Sequence, residues 1–176
     1  MKKKKNKTKY GNNFRIYEPR LPDKRDKEFI DCISGLDTPK KIGAYMLENF
    51  VNCSKKGGPT VRNPYGFWKI RKGNCVDFSE FGAFVATYHG YKVYQLGIIH
   101  EETQVKHLMT IYAEDGGMSF TSNQDYFDNY GNWFKSFKEI KDFICASHPP
   151  GYQPKEFIIK RYDDSGIKWS GRNYIN

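Results

Sequence analysis

Between residues 71 and 88 the chain reads R-K-G-N-C-V-D-F-S-E-F-G-A-F-V-A-T-Y, with Phe78, Phe81, Val85 and Tyr88 at near-helical spacing and no proline. Lys72-Gly73-Asn74 reads as a turn, and Asp77 and Glu80 lie early in the run, where acidic side chains favour a helix start. The pattern predicts a turn followed by a helix, with Cys75 in its first turn. Upstream, residues 26–33 form a short helix that Gly35 ends. Asp37-Thr38-Pro39 then opens a helix over 39–52 that buries Ile42, Tyr45, Met46 and Asn49 or Phe50. Gly57-Gly58-Pro59 breaks a loop over 54–64, and 65–70 make an aromatic helical turn. Downstream, His89-Gly90 stops the central helix, and strands follow over 91–100, 105–113 and 118–122. Glu114-Asp115-Gly116-Gly117 is the hairpin turn between the last two. One face of the middle strand carries Val105, His107, Met109 and Ile111. A helix over 134–146 faces Phe137, Ile140 and Ile144 inward, and 156–162 and 167–169 pair as a terminal hairpin. Helices first and an antiparallel meander afterwards define an α+β class.

The length of 176 residues suits one domain with a proper core. The formal charge is +9, and six lysines between Lys2 and Lys9 carry most of it: without them 23 basic residues face 20 acidic ones, a balance of +3. The basicity thus belongs to a tail over residues 1–13, expected to be disordered, ahead of a single domain over 14–176. Nucleic acid is a partner only through that tail. No apolar run is long enough to cross a membrane, and no signal-peptide core follows the lysines, which points to the cytoplasm, or to host cytoplasm or a virion if the source is viral. Cys32, Cys53, Cys75 and Cys145 are widely spaced with no C-x-x-C pair, so free thiols are expected, with no metal and no cofactor. The oligomeric state is open.

Chemistry enters with Cys75. A thiol in the first turn of a helix meets unpaired backbone N–H groups and the positive end of the dipole, which favour the thiolate, and the same groups can stabilise an oxyanion. Against this stands the commoner fate of a cysteine, burial as a small apolar side chain. His107, inside a strand, is either a packed imidazole or a base. The hairpin returns Ser122 and Asn123 beside it, which completes a nucleophile–base–orienter set. His89, His100 and His148 sit in turns or at element ends and read as surface residues. Tyr65, Phe67, Trp68, Tyr126, Phe127 and Tyr130 read as core or cleft wall rather than a base-stacking platform.

G-N-C-V-D-F ahead of a helix, Y-H-G-Y-K-V-Y entering a strand, K-H-L-M-T-I-Y, and D-G-G-M-S-F-T-S-N together resemble the core of the transglutaminase-like family of the papain superfamily. The resemblance spans about residues 39–125. It implies a catalytic Cys at the N-terminus of a helix packed on an antiparallel sheet, and acyl transfer through a thioester on a peptide or carboxamide bond. Cys75 is then the nucleophile and His107 the base. Many relatives carry Asp in third place. Here Asn123 and Ser122 compete, and Asn123 is preferred because an amide replaces a carboxylate better than a hydroxyl does. The Cys75 N–H is one oxyanion donor, with Trp68 or Asn52 as the second, and Asp77 caps the helix. Hydrolysis and amine transfer share the first half-reaction, and the substrate is a protein or peptide. The alternative is a catalytically silent domain of the same fold that binds a protein or serves in a viral particle.

Overall fold

The computed structural model describes residues 26–53, 62–100, 106–123, 132–147, 154–162 and 173–174. The lysine tail, the domain start at residue 14, most of the 54–64 loop, Tyr126, Phe127, Tyr130, His148 and residues 167–169 lie outside the described residues. Among those described, the chain runs α1 (Lys27–Ser34), α2 (Pro39–Asn49), β1 (Val51–Asn52), α3 (Pro64–Ile70), β2 (Lys72–Gly73), α4 (Cys75–Tyr88), β3 (Lys92–His100), β4 (Lys106–Glu114), β5 (Gly117–Thr121), α5 (Phe137–Ser147), β6 (Pro154–Arg161) and β7 (Asn173–Tyr174). The class is α+β, with Cys75 opening a helix that packs on an antiparallel sheet.

Local chemistry explains most boundaries. The Asp26 side chain accepts from Phe29 N at the start of α1, and Thr38 caps α2 just before Pro39. The helix α2 stops at Asn49, three residues short of the sequence expectation. Phe50 turns extended there, which lets its ring enter an aromatic cluster 4.4 Å from Phe67 and 4.9 Å from Phe81. Val51–Asn52 can then run parallel to Lys72–Gly73, a pairing that two-residue strands do not announce in sequence.

The main sheet has the order β5-β4-β3-β6-β7 with every pair antiparallel. The expected meander β3-β4-β5 is there. The strand β6 lies along the other edge of β3, with Leu96 opposite Ile159 and Ile98 opposite Phe157, so one apolar row continues across β6, β3 and β4. The helix α5 covers that row with Ile140 and Ile144, both fully buried.

The other face carries α4, beyond which lie α1 to α3 and the aromatic core of Phe29, Phe67 and Phe81. Sandwiched in this way, α4 buries Asp77, Ser79 and Glu80 as well as its apolar residues. Its contacts with the sheet combine an apolar part, in which Val93 and Tyr112 join the α4 cluster, with polar ones. Thr110 Oγ1 donates to the Ser79 carbonyl at 2.9 Å, and Gln95 Nε2 donates to Glu80 Oε1 at 2.6 Å. Gly82 permits this approach, since a Cβ there would stand 3.0 Å from Tyr112 Oη and 3.2 Å from Thr110 Oγ1. Tyr88, expected inside from its spacing, is half exposed at the helix end. No helix among the described residues is long and apolar enough to cross a membrane.

Candidate active site

The approach to Cys75 is fixed by three short elements. Asn63 caps α3, and Arg71 ends it in the left-handed region at φ 59°, a costly conformation for a side chain other than glycine. That residue is held from outside. Its guanidinium lies 5.0 Å from the Trp68 ring and donates to Tyr45 Oη at 2.8 Å. The chain turns into β2, where Val51 N meets Arg71 O at 2.8 Å and Cys53 N meets Gly73 O at 2.7 Å.

Asn74 is then the cap of α4. Its side chain accepts from the N–H of Val76 and Asp77, while Asp77 returns a bond to Asn74 N at 3.0 Å, a closed capping box. Asp77 also accepts from Arg62 N at 3.0 Å and faces the Arg62 guanidinium at 3.4 Å. Burial pushes its carboxyl above the usual range against these donors. With its oxygens so occupied, Asp77 is a clamp, as the sequence suggests. Gly73 is part of the clamp, since a Cβ there would fall 2.5 Å from Asp77 Oδ2 and 2.7 Å from Phe67.

The clamp sets Cys75 at the first position of α4. The residue keeps part of its surface open, but its thiol is surrounded by protein. Burial pushes the thiol above its ordinary value and outweighs the N–H groups of Leu108, Val76 and Cys75 itself, with Asp77 adding to the rise. Desolvation therefore works against the thiolate that a helix start favours. All four cysteines are free.

The N–H of Leu108 brings the sulfur to β4, one residue past His107. His107 is buried, and its Nε2 lies 2.7 Å from Ser122 Oγ. The structure thus gives the ring to Ser122, where the preference from sequence is Asn123. The register explains why. Thr110 pairs with Thr121 at the end of the β4–β5 ladder, so the next residue, Ser122, turns to the face that carries Met109 and His107. Asn123 is buried as well, and its Oδ1 has no hydrogen-bond partner among the described residues.

Alternation also divides β4 itself. Thr110 and Tyr112 meet α4, whereas Met109 and Ile111 join the core under α5. By the same alternation His107 leaves β4 on the face away from the α4 contacts. Of the two candidate oxyanion side chains, Trp68 donates its indole N–H to Tyr45 Oη at 2.9 Å, and Asn52 lies exposed in register with Gly73.

These features define an α+β protein with a clamped, partly buried cysteine at a helix start and a hydrogen-bonded histidine on the adjoining strand. No protein-family model matches the chain, and no curated protein does. Among solved structures it is similar to LapG of Legionella pneumophila. The EGTA-treated form has a TM-score of 0.46 and 11% identity, over 77% of this chain and 73% of that one. Another LapG structure gives 0.45 and 13%, over 74% and 70%. The calcium-bound form gives 0.45 and 12%, over the same shares. Likeness of this degree does not bear on the chemistry of this chain.

Proposed function

We propose that this protein is a thiol acyl-transfer enzyme, a cysteine peptidase or amidase of transglutaminase-like type, with Cys75 as nucleophile, His107 as base and Ser122 orienting the ring. One observation carries the reading: a thiol at the start of a helix takes a hydrogen bond from Leu108, the residue after a buried histidine whose ring is already held by a hydroxyl. In this reading Nε2–H donates to Ser122 Oγ, which fixes the tautomer and leaves Nδ1 as the base atom.

A hydroxyl orients an imidazole but does not neutralise an imidazolium, and burial favours the protonated thiol. The proton therefore moves from sulfur to Nδ1 as Cys75 attacks the substrate carbonyl, not beforehand. The Cys75 N–H at the helix start faces the oxygen that becomes negative. Collapse of the tetrahedral adduct breaks the C–N bond, His107 returns the proton to the leaving amine, and a thioester remains on Cys75. Water or an amine then takes the acyl group.

A silent, protein-binding domain of the same fold is the second reading. The opposite faces of His107 and of the α4 contacts on β4 favour it. A p-nitrophenyl acetate burst separates the two. The enzyme reading expects stoichiometric nitrophenolate release with the acetyl group mapped to Cys75 and lost in Cys75→Ala. Acetylation spread over Cys32, Cys53 and Cys145 at equal rates overturns it in favour of the silent domain.

A further inference from the structure

Asn123 stands apart from the acyl-transfer machinery and yet borders it on two sides. It directly follows Ser122, whose hydroxyl holds the His107 ring. The paired part of β5 ends at Thr121, two residues before Asn123, as Leu108, whose N–H meets the Cys75 sulfur, lies two residues before Thr110 on β4. The contact between His107 and Ser122 keeps the chain beside β4 up to the residue before Asn123. Asn123 is 8% exposed, and its Oδ1 is one of two buried side-chain atoms that lack a hydrogen-bond partner among the described residues. The other, on Glu156 of β6, pairs across from Ile99 and belongs to the far side of β3.

An amide oxygen withdrawn from water with nothing to accept carries a desolvation penalty that a donor would remove. Buried orphans of this kind need a reason, and a site that receives a donor from outside supplies one. We propose that Asn123 is a substrate-binding residue: its Oδ1 accepts the N–H of the amide whose carbonyl Cys75 attacks. The inference rests on the acyl-transfer reading and narrows it. The substrate is then a primary carboxamide or an ordinary peptide bond, each of which has an N–H beside the reacting carbonyl. The tertiary amides that precede proline have none, and would leave Oδ1 buried and unpaired, which is how a polar pocket rejects an analogue lacking its donor; an activated ester such as p-nitrophenyl acetate forgoes this one bond but still acylates Cys75 through its good leaving group.

Two alkylating probes test this without a known substrate. 2-Iodoacetamide has N–H groups beside its carbonyl, and N,N-dimethyl-2-iodoacetamide has none. The measurement is the rate of Cys75 modification by each, followed by peptide mapping and divided by the rate with free glutathione. In the unaltered protein the normalised preference for the N–H probe should be roughly fivefold, the size of one neutral hydrogen bond. Asn123→Leu keeps the volume and the steric limit on the larger probe but removes the acceptor, so the preference should collapse toward one. Asn123→Asp keeps an acceptor and should retain it. Because the measure is a ratio within each protein, a general loss of stability does not imitate it. Equal slowing of both probes in Asn123→Leu would place the amide on the shared carbonyl or the thiol and overturn the proposal. So would the absence of any preference in the unaltered protein, a result that needs no variant. If Cys75 reacts with neither probe faster than Cys32, Cys53 and Cys145 do, the acyl-transfer reading falls, and this one falls with it.

Discussion

Replacing Glu80 by Gln should stabilise the protein at alkaline pH and leave it nearly unchanged at acid pH. Glu80 is 4% exposed on the side of α4 that packs against the sheet. Burial is the largest influence on its carboxyl and pushes it up from 4.5 to about 7. The bond from Gln95 Nε2, at 2.6 Å, and the charge of Lys160 on β6 pull it down, while Asp77 one turn away pushes it further up. The sign follows from linkage. A carboxyl whose folded value is raised holds its proton more tightly in the native state. Its contribution is thus fully present below the unfolded value near 4.5 and is lost as pH rises through about 7.

At about 1.4 kcal/mol per unit, the loss above pH 7 is about 3 kcal/mol, and near-complete burial leaves little solvent screening to reduce it. Glutamine is neutral at every pH, and its Oε1 still accepts from Gln95, so the variant should escape that loss. For a chain of this size the difference in Tm at pH 8.5 is then roughly 6–12 °C, with the variant higher. Loss of the attraction to Lys160 makes this a ceiling. Thermal unfolding of both proteins, followed by circular dichroism at pH 4.5 and pH 8.5, measures the change directly, and other titrating groups cancel in the comparison. A variant that is less stable at pH 8.5, or a Tm difference that is the same at both pH values, would refute the reasoning.

The site carries three further expectations. Iodoacetamide should modify Cys75 faster than the other three cysteines because His107 takes the proton as the sulfur attacks, and the rate should keep climbing above pH 8 because burial raises the thiol; a rate level from pH 5 upward would instead reveal a preformed thiolate–imidazolium pair. Ser122→Ala should slow that modification at pH 7, and Ser122→Asp should speed it by placing a carboxylate on the imidazolium; identical rates in both variants would remove Ser122 from the site. Gly73→Ala should lower stability by about 1–3 kcal/mol, since its Cβ must displace Asp77 or Phe67, and a Tm within 1 °C of the parent would show that the clamp around Asp77 yields freely.

The parts of this site that are local in sequence could be read there. Asn74 followed by an acid three residues later is a cap, and it places Cys75 without reference to the rest of the chain. His107 on a strand and the return of residues 122–123 beside it follow from alternation and one glycine turn. The choice between Ser122 and Asn123 needed the register as well. Side-chain chemistry favours the amide as an orienter, but the pair at Thr110 and Thr121 decides which residue shares a face with His107.

What could not be read depends on what covers an element from outside. Asp77 and Glu80 both look from sequence like acids early in a helix and set out toward water, where they would complement the helix dipole. Both are buried, because α4 is enclosed by aromatic helices on one side and by the sheet on the other. The enclosure also reverses the expectation for Cys75: the dipole and backbone donors that would favour a thiolate at an exposed helix end are outweighed by loss of water. The edge that β6 chooses on β3 is hidden for the same reason, since its own pattern says only that one face is apolar and not which row it extends. A helix start specifies where a thiol sits, but its protonation state is decided by residues far away in the chain, and there the local rules lose their force.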